Sequence, residues 1–201
     1  MKFIRPFFFG ITAALGALFL ELLIGMLIGS PEELTDIFFN QLTLLLILSV
    51  LIEEILKLTF VYRSQLELKN YLQNETETIK IGREFFLNSF LVGIGFSCME
   101  SFFIFFSLSS VQEVFDLKLA ILGIFLIHTF TSSLMGYLPI KFSSYKFYVV
   151  PPVLLIAMLI HLLYNSLIIY SVQPFFILAY LLVLALVFIA MALSLRIKTQ
   201  K

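Results

Sequence analysis

Long unbroken apolar runs dominate this chain, with neither the strict alternation of a half-buried strand nor the one-sided stripe of a surface helix. Six runs stand out, at about 7–29, 37–62, 85–108, 118–138, 148–170 and 174–196. A hydrocarbon layer of about 30 Å is crossed by roughly 20 apolar residues in helical form. Each run is long enough, so the pattern predicts an all-α fold. We expect a polytopic membrane bundle of about six transmembrane helices, forming one integral-membrane domain over 1–201. Punctuation agrees with the division. Ser30-Pro31-Glu32-Glu33 makes an acidic turn that also caps the next helix. Pro139 and Pro174 stand at run ends, and Pro151 and Pro152 fall in the first turns of the fifth run, where a missing N–H costs little. The stretch Arg63–Arg83 is the one sizeable polar loop, and its first half (Gln65, Leu66, Leu68, Leu72) reads as a surface continuation of the second helix.

Composition strengthens the membrane reading. The chain is 61% hydrophobic and 13% charged, against about 45–50% and 25% in soluble domains. Formal net charge is zero, which gives no basic surface for nucleic acid. The single cysteine, Cys98, makes no internal disulfide. The N-terminal run imitates a secretory signal but exceeds the usual 7–15 residues of its apolar region, so it reads as the first span. Basic residues set the orientation. Lys2, Arg5, Arg63, Lys69, Lys80, Arg83, Lys141, Lys146, Arg196, Lys198 and Lys201 fall on one set of connections and termini, and Lys118 stands alone on the other. Both termini are therefore expected in the cytoplasm, with the protein multi-pass in the cell membrane.

Against this background the polar exceptions carry the chemistry. A charge at bilayer depth costs roughly 2.5–3.5 kcal/mol on insertion scales. Yet Glu53, Glu54, Glu100, His128 and His161 lie within apolar runs two to five, with Lys57 one turn beyond the glutamate pair. The economical solution is a single wet site where they meet. On the second helix Glu53 and Lys57 are about 40° apart and Glu54 about 100° from Glu53, so the three share a face with Thr43 and Ser49. A Lys57 salt bridge accounts for one glutamate and leaves the other uncompensated. Gly93 and Gly95 permit close helix approach ahead of Glu100, which by itself could be a structural carboxylic acid. His128, Ser132 and Gly136 form a small polar face. His161 and Asn165 share a face at i,i+4, a pair suited either to aiming two donors at one point or to joining helices. Two imidazoles and several carboxylates suit a hydrolytic zinc site and equally suit a carboxylate base acting on water. The His-Glu-x-x-His helix signature is absent. Glu21, in the first run, shows no partner and is not expected in catalysis. By simple rise Glu53 lies roughly 14 Å, and Glu100 roughly 22 Å, from the cytoplasmic ends of their runs, a mismatch in depth.

The ordered set resembles the PrsW family of intramembrane proteases, grouped with the CPBP proteins that include CAAX-prenyl endopeptidases and bacteriocin-immunity-type proteins. The resemblance rests on Glu53-Glu54-x-x-Lys57, Phe96-x-x-x-Glu100, His128 with the small residues up to Gly136, and His161-x-x-x-Asn165, over roughly residues 50–166. The CAAX-type pattern carries Arg one residue beyond Lys57 and His at the place of Glu100; both departures favour the PrsW branch. The resemblance implies hydrolysis of a peptide bond in a membrane-protein substrate, such as a single-span regulatory protein of the anti-sigma-factor kind. It implies catalytic or metal-binding roles for Glu53 and Glu54, with Glu53 as base. His161 and Asn165 would be oxyanion donors, His128 a second ligand or water-orienting group, and Lys57 and Glu100 supporting residues. A metal, if used, would draw on Glu53, Glu100, His128 and His161, with Zn2+ the natural ion. Two other classes stay open: a proton- or ion-coupled transporter, since intramembrane Glu and His relays serve proton paths, and a non-catalytic binding protein of the same fold.

Overall fold

The computed structural model describes residues 4–28, 41–72, 78–108, 110–141, 148–169 and 173–199. Within them the chain is six helices and no strand: α1 (Ile4–Ile28), α2 (Gln41–Leu72), α3 (Thr78–Ser107), α4 (Val111–Lys141), α5 (Val150–Ile169) and α6 (Gln173–Thr199). Helix bounds differ from the sequence expectation most in α2, α3 and α4, the last of which starts at Val111 rather than at about 118. α2 runs ten residues past its predicted end, and α3 begins seven before its predicted start. α4 continues through Pro139 to Lys141. The turn at 30–33, the start of the second run at 37–40, and residues 73–77 and 142–147 lie outside the described residues.

Among the described residues four segments are long and apolar enough to cross a membrane: Ile4–Ile28, Glu84–Ser107, Leu117–Leu138 and Val150–Ile169. α6 contributes a shorter apolar piece, Ile177–Ile189. α2 fails on composition, because Glu53, Glu54 and Lys57 interrupt it. That same helix is nevertheless surrounded, packing against α1, α3, α4 and α5.

The molecule is polar inside and apolar outside. Glu54, Lys57, Ser97, His128, Thr131 and Ser132 are fully buried, whereas Phe8, Phe19, Met26, Leu155, Leu159, Leu181 and Phe188 are exposed. In water that arrangement would leave a large sticky surface. In lipid it is the favourable one, because exposed leucine and phenylalanine meet a solvent like themselves while polar groups satisfy one another indoors.

Small residues bring the helices close. Gly93 lies on Thr129 and Ser132 of α4. Gly95, about 200° further round α3, faces α1, where a side chain would run into the Phe7 carbonyl; Gly10 answers it against the Val92 carbonyl. α3 is thus wedged between α1 and α4. Farther along, Glu21 of α1 and Glu100, Phe103 and Ser107 of α3 line one cavity, so the two run parallel. Phe9 meets Phe60 and Gly16 meets Leu56, so α2 runs antiparallel to both. Toward the cytoplasmic end expected from the charges, Gln65 donates to Ser89 Oγ at 3.1 Å and to the Gly136 carbonyl at 3.2 Å. Gln65 and Leu68 are buried. The extension of α2 is therefore packed bundle rather than a surface helix.

A Cβ at Gly95 has nowhere to go, since its neighbours are backbone. Gly95→Val is expected to lower stability by about 1–3 kcal/mol, read as an earlier thermal transition in detergent. Gly25, which has nothing within 4 Å, serves as control: Gly25→Ala is expected to stay within about 0.5 kcal/mol.

Candidate functional site

The register set by Gln65 and Ser89 explains how the site assembles. Counting away from that contact, Glu53 lies twelve residues along α2 and Glu100 eleven along α3, about 18 Å and about 17 Å of helix rise. The two carboxyls therefore stand level. The depth mismatch read from the sequence came from placing the end of α2 too early.

Lys57 organises the cluster. It is completely buried, and an ammonium offers three protons and no acceptor. All three are used: Nζ donates to Glu54 Oε1 at 2.5 Å, to His128 Nδ1 at 2.8 Å and to Thr131 Oγ1 at 3.2 Å. The charge also stands over the Phe96 ring, 5.0 Å from its centroid. Thr131 passes its own proton to the His128 carbonyl at 3.3 Å. One cation on α2 thereby fixes the face that α4 presents.

The second helper is Glu54. Its Oε1 receives both Lys57 and His161 Nδ1, the latter at 2.7 Å. Asn165 Nδ2 reaches His161 Nε2 at 3.1 Å. Asn165, His161, Glu54 and Lys57 form a continuous chain that converges on Glu54: amide N–H to ring nitrogen, ring N–H to carboxylate, and ammonium N–H to the same carboxylate oxygen. The two imidazoles meet edge to face with centroids 4.6 Å apart, and Phe96 covers His128 at 4.7 Å.

Glu53 and Glu100 complete the group from the other side. Glu53 Oε2 lies 3.8 Å from His128 Nε2 and 3.8 Å from His161 Nδ1. Glu100 Oε2 lies against His128 Nε2. Glu53 Oε2, Glu100 Oε2 and His128 Nε2 are all buried, and none makes a hydrogen bond. Every site residue expected from sequence, Glu53, Glu54, Lys57, Glu100, His128, His161 and Asn165, is brought to this one place. Glu21 joins them as well: it lines the same cavity as Glu53 and Glu100, and its carboxyl contacts that of Glu53. A depth count could have found it, because Glu21 lies about 26 Å up α1 from Ile4, deep in the span. Thr131 was also missed, its hydroxyl being indistinguishable in sequence from the small polar neighbours that only pack.

The unsatisfied atoms bear on metal binding. Glu53, His128 and His161 form a buried group whose donor atoms lie within 4.8 Å of one another, so it could hold a metal ion. A tetrahedral zinc with bonds of about 2.0–2.1 Å sets its donors roughly 3.3 Å apart, half an ångström tighter than the Glu53 separations here. Donor type, burial and spacing fit. The outer contacts fix the condition: a ligating imidazole normally donates its remaining N–H outward, whereas His128 Nδ1 faces the Lys57 ammonium. An ion held by both rings needs each in its other tautomer.

The Lys57–Glu54 pair generates a stability prediction. Lys57→Met strands a buried carboxylate and is expected to cost about 3–5 kcal/mol. The double change Lys57→Met with Glu54→Gln is expected to cost less than the two single changes summed, by at least about 1 kcal/mol, in a double-mutant cycle read by denaturant unfolding in mixed micelles.

Comparison with known proteins adds one match. A family model described as PrsW family intramembrane metalloprotease covers residues 3–192. No curated protein and no solved structure matches the chain.

Proposed function

Since the chain belongs to the PrsW family of intramembrane metalloproteases, we propose that it hydrolyses a peptide bond of a membrane-protein substrate at bilayer depth, with Glu53 as the base that activates water. The single observation that carries this assignment is the unequal state of the adjacent glutamates. Glu54 is sealed and committed to Lys57 and His161. Both glutamates keep Oε2 free of hydrogen bonds, but only Glu53 borders a cavity, of about 380 Å³, while Glu54 has no exposed surface. A base needs an acceptor in reach of water and a space for the reacting group; Glu53 has both and Glu54 has neither.

In this reading a water beside Glu53 Oε2 gives up its proton to that carboxylate as its oxygen attacks the substrate carbonyl. Charge building on the carbonyl oxygen is met by N–H donors held in advance, the source of most such stabilisation. His128 supplies one: Lys57 donating to Nδ1 leaves the proton of the neutral ring on Nε2, and the carbonyl oxygen takes that N–H over from Glu100. Asn165 supplies another, having a second amide hydrogen beyond the one given to His161. His161 itself, donating to Glu54, acts by aiming Asn165. Glu53 then returns its proton to the departing amine. A metal ion, held by Glu53, His128 and His161, would polarise the carbonyl and acidify the water.

The finer topology belongs to the same proposal. α2 and α6 complete six crossings of the cell membrane in one domain, with both termini cytoplasmic, as the distribution of Lys and Arg supports. The substrate class is a single-span regulatory protein. Kinship with the CPBP group is supported by the order of the four motifs.

The test is turnover of single-span substrates by purified protein. Glu53→Gln keeps shape and removes the base, and is expected to lower kcat by about 10²–10⁴-fold with the thermal transition in place. Full activity in that variant would remove Glu53 from the chemistry. Loss of turnover on chelation, restored by Zn2+, would assign the ion to the Glu53, His128 and His161 group; turnover indifferent to chelation would assign the work to the carboxylate alone.

A further inference from the structure

The cavity beside Glu53 carries more negative groups than the hydrolytic step uses. It is lined by Glu21, Glu53 and Glu100, contributed by α1, α2 and α3, and by apolar residues that include Ala17, Phe103 and Ile104. At about 380 Å³ it is within the range of small-ligand pockets, about 300–1,000 Å³. Among the described residues no cationic side chain lines it. Lys57, the ammonium nearest in the cluster, spends its three protons on Glu54, His128 and Thr131. Glu53 is buried and leaves Oε2 unpartnered; Glu21, partly buried, leaves Oε1 without a hydrogen bond while its carboxyl meets that of Glu53. The candidate metal donors do not include Glu21. A carboxyl that meets only another carboxyl, that of Glu53, therefore lines an otherwise largely apolar cavity.

An occupant must supply positive charge at its tip and apolar surface along its length. Lysine and arginine side chains have that construction, a methylene stem ending in a cation. We propose that the cavity is a side-chain subsite for the substrate and that Glu21 is its specificity-determining residue, taking a lysine or arginine close to the scissile bond. The proposal rests on the protease reading, since it places the guest beside the Glu53 base. It also explains why α1, which carries no other acid among its described residues, brings one to this depth.

The experiment uses the full chain in detergent with a set of single-span fluorogenic peptides. Each position flanking the cleaved bond carries lysine, norleucine or glutamate in turn. A charge-assisted contact in a desolvated slot is expected to favour lysine over norleucine at one position by about tenfold or more in kcat/KM. Glu21→Gln is expected to shrink that ratio below about twofold, Glu21→Asp to retain most of it, and Glu21→Lys to shift the preference to glutamate. Equal handling of lysine and norleucine by the unaltered protein overturns the assignment. So does a Glu21→Gln variant that slows both peptides in proportion, which would make Glu21 only a proton-sharing neighbour of Glu53. Binding of the same peptides by fluorescence anisotropy separates this idea from the catalytic one. A lysine preference in binding that Glu21→Gln erases, with no peptide cut, supports the subsite while the hydrolase reading fails. No preference in either assay overturns the subsite.

Discussion

A single ammonium, Lys57 Nζ, holds this structure's interior in order. It lies where neither lipid nor water can solvate it, so its whole solvation comes from Glu54, His128 and Thr131. Removing any one acceptor leaves a buried charge short of a partner, a condition that costs several kcal/mol. The arrangement is therefore rigid in a way that apolar packing in lipid is not. It ties α2 to α4 directly, and to α5 through the two protons that Glu54 Oε1 accepts. The protonation pattern of both histidines follows from the same contact. The ring that receives from Lys57 has its other nitrogen facing Glu53 and Glu100, and the ring that gives to Glu54 turns its second nitrogen to Asn165.

That constraint divides the labour between adjacent residues. Glu54 is a structural counter-charge, fully enclosed. Glu53, one residue earlier and about 100° round the helix, looks into the cavity instead. A helix is well suited to this division: side chains one apart in sequence point to different neighbours while sharing one depth. Small residues make it possible to close the bundle around them, since Gly93 lets α3 lie on α4 at the level of Thr129 and Ser132. The polar interior and the apolar rim then follow from the same requirement, that each hydrogen-bonding group find its partner inside.

Much of this was written in the sequence because lipid tolerates so little. Five acids and imidazoles within apolar runs had to find partners, and the partners were one another. That logic placed Glu53, Glu54, Glu100, His128 and His161 together without coordinates. It was weaker where a residue stood alone. Glu21 has no polar neighbour at helical spacing in α1, so nothing local tied it to the site; its relation to Glu53 exists only across helices. The end of α2 was misread for a different reason. Arg63, Glu67 and Lys69 ended the apolar run by charge and left the helical continuation to be read as surface, yet Gln65 found Ser89 and Gly136 to satisfy it. The partition of roles within the glutamate pair was also hidden, because helical angle alone does not say which of two facing acids meets the lysine.

The glycine contacts between α1 and α3 have a mechanical consequence. At Gly10 and Gly95 the two helices touch backbone to backbone, and nothing there can be compressed or slid without collision. The slot above lies between parallel rods pinned near one end, like the blades of shears joined at a rivet. A guest can widen it only by splaying the free ends. From Gly95 to Ser107 the lever is about 18 Å, so a splay of about 10° would part the tips by about 3 Å while the rivet stays put.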